Sequence, residues 1–255
     1  MALPPAGLRQ SSSSVVGVTM TESVTLTTAD GDMPAYVAQP EATPLGGVVV
    51  IQEAFGVTTH IEDVARRFAD AGYLAIAPAL FHRNGSPVLG YDDLDGARPQ
   101  MAALTRLGIV ADLDAAFGWL REAGVTVARQ AIVGFCMGGS VATFAAGSYA
   151  VGAAISFYGG GVAEGRFGFP PLVELAPAFT TPWLGLYGGE DHGIPVSDVD
   201  AMRAAAAAAR VTTDVVLYPG AQHGFHCDDR PAVYDAEAAQ AGWARTLEFL
   251  AAELA

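Results

Sequence analysis

Residues 130–147, QAIVGFCMGGSVATFAAG, decide the fold. The first six form a short apolar run suited to a strand covered on both faces, and the last ten can start a helix. Between them, Gly134-Phe135-Cys136-Met137-Gly138 fits a G-x-Nu-x-G turn with sulfur in the nucleophile position. A strand that turns sharply into a helix strains its apex residue and brings backbones close together, so bulkier flanks would clash. The same turn aims the apex side chain at a helix N-terminus, where the local field favours thiolate over thiol. The competing reading is packing, because free cysteine is among the most buried residue types. Taken alone, Cys136 is either a nucleophile or core filler.

Working outward, similar apolar runs recur at 46–52, 73–79, 151–158, 182–188 and 213–219 and read as buried strands. Helical spacing appears at 60–72, 101–124, 197–210 and 234–254. In the third of these, Ser197, Asp198 and Asp200 offer a cap for the Ala-rich tract 204–209. Alternating strand and helix imply an α/β fold, a mainly parallel sheet with helices on both faces. Ahead of it, SVTLTTA and MPAYVAQ flank DGD as an edge β-hairpin. The Pro- and Gly-rich stretches 80–100 and 159–181 read as loops that shape a pocket.

Composition narrows the function. The chain has 255 residues, long by the usual domain prior, yet one large α/β core of this size is common. A single domain over 22–255 is expected, behind a flexible Ser-rich leader at 1–21 in which Met20 is an alternative start. The net charge is −14 and all 13 basic residues are arginines, with no basic patch for nucleic acid or an anionic membrane surface. No segment offers about 18 uninterrupted apolar residues, and the opening lacks a signal-peptide pattern. With only Cys136 and Cys227 present, a disulfide framework is not expected and a reducing cytoplasm fits.

Two later loops bear on Cys136. LYGGEDHGIP sets Asp191 beyond one predicted strand, and YPGAQHGFHCDDR sets His223 beyond the next. Nucleophile, acid and histidine in that chain order, each after a strand, suit a hydrolytic triad. Glu190 is the adjacent alternative to Asp191. The His223, His226, Cys227, Asp228 tract also admits a metal reading, but its spacing matches no familiar zinc site, and no metal or cofactor is expected. His60, His82 and His192 read as ordinary loop or helix-end residues.

With QEAFG at 52–56, GFCMGG at 134–139, GGEDHGIP at 188–195 and HGF at 223–225, the chain resembles the dienelactone hydrolases, or carboxymethylenebutenolidases, from about residue 22 onward. The resemblance implies an α/β-hydrolase fold with Cys136, Asp191 and His223 as the triad. It also implies that Glu53 contacts the resting thiol and helps it ionise, the other reading of Glu53 being a capping or surface carboxylate. Backbone N–H groups of Met137 and Ala54 would form the oxyanion hole.

The implied substrate is a small anionic lactone or ester, a carboxylated enol lactone opened to a keto acid such as maleylacetate. Arg83, in PALFHRNG, is the carboxylate anchor by this resemblance, and a guanidinium suits that task. The pattern departs four residues after His223, where Cys227 replaces an arginine, leaving Arg230 as the candidate substitute. Tyr158, Phe55 and Phe225 are candidate pocket walls, packing or a tight turn being the plain alternative. Cys227 reads as incidental. The rival readings are a broader carboxylesterase or thioesterase of the same fold, and a non-catalytic binding protein. The assembly is expected to be a monomer or homodimer.

Overall fold

The computed structural model describes residues 20–255. The leader expectation for residues 1–19 lies outside these residues. Met20 already pairs with Gln39 in the first strand, so the strand includes two residues, Met20 and Thr21, that were expected to belong to the leader.

In chain order the elements are β1 (Met20–Thr28), β2 (Gly31–Gln39), β3 (Gly47–Ile51), α1 (Thr59–Asp70), β4 (Leu74–Pro78), α2 (Leu94–Ala103) and α3 (Arg106–Glu122). They continue as β5 (Gln130–Phe135), α4 (Met137–Ser148), β6 (Ala153–Phe157), α5 (Leu172–Leu175), β7 (Trp183–Gly188), α6 (Val196–Ala206), β8 (Thr213–Tyr218) and α7 (Ala236–Glu253). Among the described residues these strands form one eight-stranded sheet, ordered β1-β2-β4-β3-β5-β6-β7-β8. The hairpin β1-β2 joins β4 antiparallel, and every pairing from β4 to β8 is parallel.

The predicted strands therefore form, and burial explains their composition. Val48–Ile51, Ala131–Val133 and Ala153–Ile155 are fully buried, since helices cover both sheet faces. At the edge, β8 is only half-buried along its length. α1 turns Ile61, Val64, Ala65 and Phe68 to the sheet, and the Thr58 side chain accepts a bond from the Ile61 N–H at its start. Among the described residues no helix is long and apolar enough to cross a membrane.

Three local expectations need correction. The helix expected over 101–124 is two helices, because Leu104 is extended and Thr105 caps α3 by accepting from the Gly108 N–H at 3.1 Å. An N-cap side chain thus interrupts an apolar spacing that runs on through it. The loop expected over 80–100 contains most of α2, capped by Asp93 and carrying Pro99 inside it. Finally, α6 begins at Val196 after Pro195, so Ser197 lies inside the helix instead of capping it.

The chain leaves β3 in one direction across the sheet and β5 in the other. Side chains beyond the carboxyl ends of these two strands consequently meet in a crevice at the switch point.

Candidate active site

Cys136 sits at that crevice with φ +57° and ψ −115°, a conformation costly for any residue with a Cβ. Its backbone is bound from both sides, its N–H donating to Phe157 O at 3.1 Å and its carbonyl accepting from the Ser140 N–H at 3.3 Å. The flanking glycines are sterically required. A Cβ at Gly138 would lie 2.5 Å from Ile51 O and 2.6 Å from Gln52 O, and one at Gly139 would lie 2.6 Å from Phe157 O. Cys136 is only half-buried, whereas Cys227 is wholly buried. Core filler describes the second cysteine better than the first.

Asp191, beyond β7, is buried, with Oδ2 2.7 Å from His223 Nδ1 and Oδ1 accepting from the Gly193 N–H at 2.8 Å. Glu190 is exposed and makes no such bond, which separates the two adjacent acids. His223 also contacts the Cys136 sulfur. Burial opposes an imidazolium here, but the Cys136 charge, the Asp191 hydrogen bond and the Cys136 hydrogen bond outweigh it and push His223 up to about 10. The three side chains thus converge from the ends of β5, β7 and β8.

Glu53, beyond β3, is buried, and its Oε1 accepts from the Tyr158 hydroxyl at 3.3 Å while Oε2 has no partner among the described residues. The capping and surface readings of Glu53 do not survive this placement. Tyr158 is fully buried at φ +40°, its ring 5.1 Å from that of His223. Burial, then the nearby Glu53, hold its hydroxyl well above its ordinary range, so it remains a donor. Met137 opens α4, where a first-turn N–H has no acceptor within the helix, and Ala54 follows Glu53 in a buried turn. Phe225 is wholly buried, packed against Tyr158, Phe157 and Tyr218, and is a core ring; the pocket-wall expectation for it is corrected accordingly.

Arg83 is the principal departure from expectation. Its Nη1 and Nη2 both reach the fully buried Asp112 at 2.9 Å, its Nε donates to Asp30 at 2.9 Å, and Nη2 also donates to Gly108 O at 3.2 Å. His82 Nε2 completes the cluster 3.0 Å from Asp112. Two carboxylates already neutralise this guanidinium, so Arg83 joins α3 to the β1-β2 turn and does not meet the expectation of a free anion anchor.

Arg230 has the opposite surroundings. Among the described residues its guanidinium makes no ion pair; it lies 5.6 Å from the Phe55 ring centroid and 5.5 Å from that of Tyr91. A Cβ at Gly224, next to His223 in sequence, would lie 2.7 Å from its Nη1, so the cation lies against the histidine's own turn.

The metal reading of the 223–228 tract fails on direction. His223 turns to Asp191, His226 is buried among the rings of Phe135, Phe157 and Trp243, Cys227 contacts the Tyr91 hydroxyl, and Asp228 binds His60 at 2.9 Å and Arg67. Among the described residues no group of three or more His, Cys, Asp or Glu could hold a metal ion. His60 and Asp228 were not foreseen as partners; together with the bond from Thr59 to Asp229 at 3.0 Å, they tie the histidine's loop to the start of α1. Tyr91 was also missed, since nothing in its loop sequence marks it. His192 is exposed.

Known proteins resemble this chain over most of its length. The dienelactone hydrolase family matches residues 33–254. A protein of Salmonella typhimurium provisionally named carboxymethylenebutenolidase is 41% identical over 224 residues, covering 86% of this chain and 83% of its own. One of Escherichia coli K12 bearing the same provisional name is 40% identical over 226 residues, covering 87% and 83%. The crystal structure of a provisionally named dienelactone hydrolase from Klebsiella pneumoniae superposes with a TM-score of 0.84 at 37% identity, covering 92% of this chain and 99% of that one. The family match takes in every strand end that carries a site residue, and the chain belongs to the dienelactone hydrolase family of ester-bond hydrolases.

Proposed function

We propose that the chain opens small carboxylated enol lactones to keto acids such as maleylacetate, with Cys136 as nucleophile. The observation that carries this reading is the 2.7 Å His223–Asp191 bond beside a sulfur at a glycine-flanked bend. The Cys136 thiolate attacks the lactone carbonyl, and the C–O bond of the ring breaks as an acyl thioester forms. His223 protonates the leaving enol oxygen, then takes a proton from water as that water attacks the thioester and frees the thiolate. The released enol becomes the ketone, and Asp191 holds the imidazole in the tautomer that both steps need. Glu53, with one oxygen unpartnered, helps the thiol ionise as substrate enters. The Met137 and Ala54 N–H groups receive the developing oxyanion, each worth about 10²–10³-fold in turnover. Arg230, in place of Arg83, binds the substrate carboxylate.

The test is a panel of cis- and trans-dienelactone beside p-nitrophenyl acetate, run on the wild type and on Cys136→Ala. Lactone opening that falls by more than about 10³-fold in the variant, without unfolding, is expected. Retention of activity in Cys136→Ala would defeat the mechanism and revive the binding-protein reading. A second reading, a broader carboxylesterase or thioesterase, is favoured by the occupied Arg83 and by Cys227 standing where the resemblance calls for an arginine. Simple-ester turnover with no lactone opening would select it.

A further inference from the structure

The segment after α1 and β4 packs back over the turn that follows Glu53. Leu89 N–H donates to Phe55 O at 2.9 Å, and Leu89, Tyr91 and Met101 close over Ala54, Phe55 and Ala97 as a small apolar cluster separate from the main core. Tyr91 is its polar member. Its hydroxyl lies 3.1 Å from Thr58 Oγ1 and contacts the Cys227 thiol, while its ring meets Phe55 edge-on, centroids 5.1 Å apart at 75°. The Thr58 bond holds the hydroxyl end of Tyr91, and the edge-on contact with Phe55 holds its ring.

From this geometry we infer that Tyr91 is a specificity-determining positioning residue, whose ring joins that of Phe55 in one aromatic ledge against a single side of the Arg230 guanidinium and leaves its N–H edge free for a substrate carboxylate. The inference rests on the proposed role of Arg230. A long arginine with no ion pair would otherwise sample many rotamers, and ordering it on binding costs part of the affinity. Aromatic faces attract the cation without consuming its donors, whereas a carboxylate partner, as at Arg83, would neutralise it. An arginine held in this way is preorganised yet unoccupied. Arg230 is also the guanidinium whose Nη1 lies against Gly224, the residue after His223 in the chain.

The experiment compares the ratio of KM for cis-dienelactone, which carries a carboxylate, to KM for p-nitrophenyl acetate, which does not. The proteins are the wild type, Tyr91→Leu, Tyr91→Phe and Arg230→Ala. In Tyr91→Leu the ratio is expected to rise about 3–30-fold, the range of a partly desolvated cation–π contact. Tyr91→Phe, which keeps the ring and loses the hydroxyl, is expected to restore most of it. A ratio unchanged in Tyr91→Leu while Arg230→Ala raises it would overturn the inference alone. So would a Tyr91→Phe no better than Tyr91→Leu, or a KM that rises equally for both esters, as a merely structural role would give. If Arg230→Ala leaves the ratio unchanged, or the wild type does not open the lactone, the underlying reading of the site fails instead.

Discussion

The bend that carries Cys136 and the loop that carries His223 hold their reactive side chains by opposite means. At the bend, position comes from backbone alone: a residue at φ +57°, glycines with no room for a Cβ, and main-chain bonds to Phe157 and Ser140. In the loop, side chains do the work, with Asp228 reaching His60 and Arg67, and Asp229 reaching Thr59. A geometry made by sterics is all-or-none. One made by hydrogen bonds can loosen by degrees.

Substitutions can break that contrast. The largest effect is expected from Gly138→Ala, whose methyl would meet two backbone oxygens that cannot move independently of β3. A loss above about 3 kcal/mol, seen as a lowered denaturation midpoint and little soluble protein, is expected. A variant that folds with wild-type stability would show that the bend is less constrained than its spacing indicates. Asp228→Ala should act more mildly, leaving the buried His60 without its carboxylate partner and Arg67 with only Asp63, at a cost of about 1–3 kcal/mol. Because the loop that carries His223 loosens without unfolding, kcat is expected to fall while KM changes little on the proposed mechanism. An unaltered kcat would mean that the loop holds its shape without α1.

The smallest effect concerns pH. His223 is raised from 6.5 to about 10, so the stability gained from its charged neighbours is fully present below about pH 6.5 and lost as pH rises through about 10. Since the Cys136 charge is the strongest influence raising it, Cys136→Ala should show a shallower alkaline decline in melting temperature than the wild type. Parallel declines in the two proteins would assign the shift to Asp191 instead.

The same contrast explains what could be read from the chain. The parallel strands were legible because burial on both faces demands unbroken apolar runs, and β3, β5, β6 and β7 supply them. The bend was legible because its requirements are local, written in adjacent glycines. The break at Leu104 was not, because apolar spacing continues across it and only the Thr105 side chain turns the chain. Arg83 was misassigned for a related reason: Asp30 and Asp112, which occupy it, arrive from separate elements that no neighbouring residue announces. Tyr91 lies in a weakly patterned stretch, and its value comes wholly from Thr58, Phe55 and Arg230 folding to meet it.

The sheet order has a consequence for synthesis. Cys136 leaves the ribosome well before Asp191 and His223, whose strands β7 and β8 are added last at the far side of the sheet. A chain halted after β6 would own the sulfur without the imidazole that the proposed mechanism pairs with it. On the proposed mechanism, reactivity toward esters would wait for the residues that follow β7 and β8.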